Sequence, residues 1–137
     1  MALAGLQQAQ QIPHNFATTQ KEIIRSRSTM LSYVLKLKKC IDARHLDLLH
    51  ALTKRFSESA IDYISYGHFR LFQEYCLEPH QSAALDSITK QILDFDARYS
   101  NVVKLNIDQL RIDLESLALA LETRFEIEDE FLALTAV

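Results

Sequence analysis

Apolar side chains recur along this chain at the three- and four-residue spacing of amphipathic helices, in four separate stretches. In the first, Ile23, Met30, Val34, Leu37 and Ile41 form one row, and Arg27 stands where an apolar residue is due. Thr19 and Glu22 have the spacing of a capping box, which predicts the helix start there. Lys36, Lys38 and Lys39 crowd the last turn, where cations suit the helix dipole. The second row is Leu49, Leu52, Phe56, Ala60, Tyr63, Gly67 and Leu71, with Asp42 as the predicted N-cap. It ends by Pro79, and so long a helix is expected to bend near Gly67. The third row, after Pro79, is Leu85, Ile88, Ile92, Phe95 and Tyr99. The fourth helix opens with a second capping box, Asn106 and Gln109, and Leu105 is placed to staple onto Leu110. Its row runs Val103, Ile107, Leu110, Leu114, Leu117 and Leu121, then reaches Glu128 and Leu132. Chain reversals are therefore expected near 40–42, 78–81 and 100–106.

Four such helices with short connections pack as an antiparallel four-helix bundle, an all-α fold. Residues 1–18 are Gln-rich and lack a sustained period, so they read as a loose arm with room for a short helix within 2–11. Residues 19–137 read as a single bundle domain. Composition narrows the choice further. Two Gly and two Pro in 137 residues leave a β-sandwich or barrel short of turn formers. The absence of a glycine cluster excludes a Rossmann or P-loop phosphate cradle. No apolar run approaches the ~18 residues of a membrane span. No basic segment precedes an apolar stretch as in a signal peptide, so a cytoplasmic protein without membrane contact is expected.

The candidate chemistry is sparse. Asp42/His45 and Asp47/His50 are each D-x-x-H, but both pairs are expected on one helix and no Glu-x-x-His occurs. A di-metal carboxylate bundle needs ligands from several helices, so no metal and no other cofactor is expected. Cys40 and Cys76 lie at the ends of the first two predicted helices. A mostly straight second helix would hold them tens of ångströms apart, at ~1.5 Å rise per residue, so two free thiols are expected. No Ser-His-Asp or Cys-His grouping emerges from the spacing, and the chain is not read as an enzyme.

Charge is more informative. The net charge is −3, yet residues 1–56 hold nine Lys/Arg against three Asp/Glu, while residues 57–137 hold six against fifteen. Such asymmetry either marks a face that meets an oppositely charged partner or belongs to a solvated bundle with unequal faces. Arg27, Glu128 and Asp129 interrupt apolar rows. Two readings are open: an inward pair, which His68 could join, or rows that end at wet bundle edges. The matching interruptions on the first and fourth helices favour the pair, because an isolated buried charge is costly.

The segment Asp62-Tyr63-Ile64-Ser65-Tyr66-Gly67-His68-Phe69 has two characters. At ~100° per residue, Ala60, Tyr63, Ile64, Gly67, His68, Leu71 and Tyr75 share the inward side. Glu58, Asp62, Ser65, Tyr66, Phe69, Gln73 and Cys76 share the other side, with Phe72 at the border. An outer side carrying Tyr66 and Phe69 beside carboxylates has the make-up of an interface, although single exposed aromatics are ordinary.

The same segment resembles the D-Y-[LIV]-S-x-G-H-F motif of the regulator of sigma D (Rsd/AlgQ) family. Leu121-Glu-Thr-Arg-Phe-Glu-Ile-Glu-Asp129 resembles that family's L-E-x-R-F-x-[LI]-E-D segment, and Thr89-Lys-Gln-Ile-Leu-Asp94 its T-Q-Q-I-M-D. Arg27, Leu31 and Tyr33 echo an R-x-x-L-L-x-x-Y stretch. The likeness covers about residues 20–132 with its motifs in order. It departs from the family in carrying Ile23-Ile24 where a Trp is usual, in a shorter connection around Pro79, and in a short C-terminal tail.

The resemblance implies a bacterial anti-sigma protein, a helical bundle that binds region 4 of the primary sigma factor. Binding would occlude the surface that region 4 offers to polymerase and promoter, favouring alternative sigma factors. No direct contact with nucleic acid is implied, and oligomeric state stays open. Positions matching Asp62, Ser65 and Phe69 contribute to sigma binding in the family, and the helical wheel sets all three outside. Two alternatives stand beside this reading. One is a histidine-phosphotransfer bundle with His68 as acceptor, although His68 falls on the inward side and lacks the downstream Lys-Gly of such domains. The other is a generic helical adaptor.

Overall fold

The segment ahead of Thr19 is rich in Ala, Leu and Gln, all good helix formers. In the computed structural model it is helical, and the first helix, α1, runs Ala2–Ala43 without a start at Thr19. The backbone is described for residues 2–73, 77–101 and 104–136, and side chains for 17–73, 77–101 and 104–132. Thr19 lies inside α1 with its side chain buried, and Glu22 faces Arg25 at 4.0 Å instead of returning to a cap. The capping-box expectation at Thr19 is thus corrected, because α1 runs on through Pro13 and past Thr19 without a break.

The reversal after α1 falls at Arg44–His45, later than the expected 40–42. Asp42 belongs to α1 and does not cap the next helix, so the Asp42/His45 pair spans a corner and does not share one helix. Arg44 adopts φ 56°, and its amide donates to the Ile41 carbonyl at 3.2 Å. The His45 amide donates to the Cys40 carbonyl at 3.0 Å. These two bonds form a Schellman motif with Arg, not Gly, at the left-handed position. Without a glycine to mark it, the boundary was read too early.

Helix α2 runs Leu46–Gly67 and passes directly into one π-type turn, His68–Phe72, closed by the Gln73 amide on the His68 carbonyl at 2.9 Å. Where the sequence predicts a bend near Gly67, the hydrogen-bond pattern widens into this turn, and Cys76 and Tyr75 lie outside the described residues. Helix α3 spans Pro79–Tyr99, with Pro79 in its first turn and a reciprocal cap between Glu78 and Gln81. Helix α4 spans Ile107–Ala136. The Asn106 side chain accepts the Gln109 amide at 3.1 Å, but the Gln109 side chain turns to Asp113 at 2.9 Å, so only half of that capping box forms. Val103 lies outside the described residues.

Each helix packs on its neighbours in sequence, and α4 closes the bundle against α1. The pairing runs antiparallel: Asp42, near the end of α1, reaches Arg111 near the start of α4, while Arg27 reaches Glu128 far along α4. The core carries the predicted rows nearly complete. Ile23, Met30, Val34, Leu37 and Ile41 are buried, as are Leu85, Ile88, Ile92, Phe95 and Tyr99. Leu52 and Ile107 are only half-buried. Phe56 meets Phe95 edge to face at 5.4 Å between ring centres, locking α2 to α3. Among the described residues there is no strand, and the fold is all-α.

The left-handed Arg44 gives a direct test. Arg44→Gly removes the Cβ penalty at a position that glycine adopts freely. It should stabilise the protein by about 1 kcal/mol in urea titration. Arg44→Ala, which keeps a Cβ, should show no such gain.

Candidate protein-binding interface

The two motif segments meet inside the bundle. Tyr63 comes from α2, Arg124, Phe125 and Glu128 from α4, and Arg27 from α1. Glu128 is 0 % exposed, and three groups surround it. Arg27 donates from Nη2 to Glu128 Oε1 at 2.9 Å, and the same nitrogen donates to Asp129 Oδ1 at 3.0 Å. The Tyr63 hydroxyl donates to Glu128 Oε1 as well. Arg124, 2 % exposed, sets its Nε 3.5 Å from Glu128 Oε2 as an ion pair without a hydrogen bond, and its Nη2 donates to the Ile64 carbonyl at 3.3 Å.

Aromatic rings pack over the two guanidiniums. Arg27 lies over Phe125 at 4.5 Å, and Arg124 over Tyr63 at 5.3 Å and Phe72 at 5.2 Å. Burial works against the Arg27 charge, but the hydrogen bond and charge of Glu128 and the hydrogen bond to Asp129 outweigh it and hold its pKa above the ordinary value. Burial, then the charge and hydrogen bond of Glu128, push the Tyr63 phenol well above its usual range. The hydroxyl thus stays protonated as a donor.

Gly67 is explained by this cluster. A Cβ there would meet Arg124 Nη2 at 2.8 Å and Glu128 Oε2 at 3.4 Å, so the charged groups occupy the space of a side chain. Its backbone is ordinary helix, and close approach is the reason for glycine.

The four charged and polar residues read from sequence divide three to one. Arg27, Glu128 and Asp129 come together, with Glu128 inside and Asp129 at the rim. His68 does not join them. It is exposed and stacks edge to face on Phe69 at 5.0 Å, which corrects its inward placement. Arg124 completes the cluster and was missed. The signal was present, because 117, 121, 124 and 128 continue the α4 row at helical spacing.

On the outer side of α2, Asp62, Ser65 and Phe69 are exposed in one row, Phe69 at 60 %. Tyr66, expected outside, is half-buried and packs against the core, and Phe72 is buried. Phe69 forms a ridge between two hollows. One is shallow, lined by Asp62, Ser65, Tyr66 and Arg70. The other is a groove of about 360 Å³ between α2 and α3, with Ile61, Phe72, Leu85 and Leu93 among its walls. An aromatic ridge flanked by a carboxylate, a hydroxyl and an apolar groove is suited to protein contact. Among the described residues, no group of three or more His, Cys, Asp or Glu is placed to hold a metal ion.

A second polar tie joins α3 to α4. Asp113 accepts from Arg98 at 2.7 Å, from Gln109 at 2.9 Å and from the Tyr99 hydroxyl. Burial would raise the Asp113 carboxyl, but these donors outweigh it and hold it below the usual carboxylate range. Burial and the bond to Asp113 push the Tyr99 phenol above its ordinary value.

With this geometry established, comparison with known proteins is specific. A family model described as regulator of RNA polymerase sigma(70) subunit, Rsd/AlgQ, matches residues 2–135. A regulator of sigma D from Enterobacter sp. (strain 638) is 33 % identical over 94 residues, covering 58 % of this chain and 55 % of that protein. The alignment thus spans about half the length of the relative. No solved structure matches.

Two outcomes test the polar groups. Arg27→Ala leaves Glu128 buried with one cation fewer, and should cost about 3 kcal/mol in denaturant titration, at the low end for breaking a buried pair. For Asp113, a folded pKa below the unfolded value stabilises the fold at pH above about 4, and this contribution is lost as pH falls through the folded pKa. The urea midpoints of wild type and Asp113→Asn should therefore differ by a constant amount above pH ~5 and converge as pH drops below ~4.

Proposed function

The chain belongs to the Rsd/AlgQ family of regulators of the RNA polymerase sigma(70) subunit, and on that premise we propose that it is a non-catalytic anti-sigma protein that binds region 4 of the primary sigma factor. The observation that carries the reading is the division of one motif between two sides of α2. Tyr63 and Gly67 serve the buried cluster, while Asp62, Ser65 and Phe69 are free on the surface. A partner surface accounts for a phenylalanine exposed in one row with a carboxylate and a hydroxyl beside an apolar groove.

In this reading Phe69 is the anchor and Asp62 the charge complement to a basic helical module. Sigma held on this face cannot offer the same surface to polymerase or promoter DNA, so the mechanism is occlusion. The acidic balance of residues 57–137 steers such a partner toward the face. The protein acts in the cytoplasm without cofactor, nucleic-acid or membrane contact, and no described helix is long and apolar enough to cross a membrane. Residues 2–18 are read as an arm ahead of the bundle domain of 19–137, carried on the same continuous helix α1. The exposure of His68 removes one objection to a phosphotransfer role. Acid-labile phosphorylation of His68 would favour that role over sigma binding.

Calorimetric titration against region 4 tests the proposal. Phe69→Ala should weaken binding about thirtyfold, or about 2 kcal/mol, with an unchanged melting temperature. Asp62→Asn should weaken it at low salt and much less at high salt, because a rim charge is screened. A Phe69→Ala protein that binds as wild type would overturn the assignment.

A further inference from the structure

The wide turn at His68–Phe72 sits directly above the buried cluster, and this coincidence has a physical content. Such turns are rare, and they persist where surrounding structure holds them. Here the Ile64 carbonyl is shared between the His68 amide and Arg124 Nη2. Immediately beyond, the hydrogen-bond pattern widens, with Gln73 bonding back to His68.

The turn changes which aromatic faces solvent. In an uninterrupted α-helix, at ~100° per residue, Phe72 would point about 130° away from the buried row of Phe56, Ala60, Tyr63, Ile64 and Gly67. It would lie on the outer side, one turn from Phe69. The wide turn instead brings Phe72 beneath Gly67, where its ring lies 3.8 Å from the place of a Gly67 Cβ. There it is buried, packs on Phe131 at 5.8 Å and covers the Arg124 guanidinium at 5.2 Å.

We propose that Arg124 is a positioning residue for the partner face: its hold on the Ile64 carbonyl and on the Phe72 ring selects the wide turn, and so leaves Phe69 on that face without Phe72 beside it. The proposal deepens the sigma-binding reading and rests on it for its binding consequence, but not for its structural one. It also assigns roles across the motif. Gly67 makes room for Arg124, Arg124 draws Phe72 inward, and Phe69 remains the ridge beside the α2–α3 groove.

The test uses the full chain as Arg124→Met, Phe69→Ala and the double variant, with Leu114→Ala as a core control elsewhere on α4. Backbone carbon shifts of residues 68–73 in the free protein report the register, and calorimetry with sigma region 4 reports binding. Arg124→Met should move those shifts toward an ordinary α-helix and weaken binding about tenfold. The double variant should bind no more than about twofold worse than Phe69→Ala alone, since the two act through one contact. Unmoved shifts in Arg124→Met would overturn the proposal, as would losses that multiply in the double variant as they do when Leu114→Ala is combined with Phe69→Ala. If Arg124→Met does not fold, Gly67→Ala serves, because its Cβ must displace Arg124 Nη2; the same shifts and losses are expected. A wild-type chain that ignores region 4 would sink the sigma reading while the shifts still decide the register.

Discussion

A carboxylate with no access to solvent, Glu128, organises the distal half of this bundle. Stripping water from a carboxylate costs several kcal/mol, and the cost is offset only by well-placed donors. Arg27 and Tyr63 supply them from α1 and α2, and Arg124, one turn away on α4 itself, adds an ion pair without a hydrogen bond. These two donors fix the rotation and axial register of α1 and α2 against α4, since a shift of one turn would leave a buried charge unpaired. An apolar core tolerates such slips more readily, because methyl groups have many equivalent partners. The cluster therefore specifies the arrangement of α1, α2 and α4 more than it adds to their cohesion, which the surrounding apolar rows provide.

The same cluster accounts for features that otherwise look like separate oddities. Gly67 is required by the approach of Arg124 and Glu128, not by its backbone angles. The Tyr63 phenol is held protonated by burial and by Glu128, so it donates where phenylalanine could not. The break in α-helical hydrogen bonding after Gly67 follows the guanidinium that shares the Ile64 carbonyl. One helix is thus a structural element on its inner side and a recognition element on its outer side, and the interior chemistry sets the geometry that the outside presents.

The Asp113 tie between α3 and α4 works differently. Arg98 is exposed, and its charge is largely screened by water. The Tyr99 hydroxyl and Gln109 do more to orient that carboxylate. A tie of this kind trims the edge of the bundle, whereas the Glu128 cluster is inside it.

Helical periodicity determined the four helices and their buried rows, because a 3.6-residue repeat of apolar side chains has few ways to be buried, and the short connections determined their antiparallel order. It also separated the outward Asp62, Ser65 and Phe69 from the inward Tyr63 and Gly67, and it paired Arg27 with Glu128 and Asp129 through matching gaps in two rows. Other features depended on contacts between residues far apart in sequence. The start of α1 and the Arg44 corner were misread because capping residues are local preferences that a continuing helix or a Schellman bond can override. Phe72, read at the border, is carried inward because a uniform ~100° step cannot foresee a wide turn, while His68, read as inward, stands exposed where the turn begins. Arg124 sits in the α4 row at the right spacing, but only the folded bundle reveals that a second arginine is needed to hold one buried carboxylate, and that it reaches the backbone of α2 to do so.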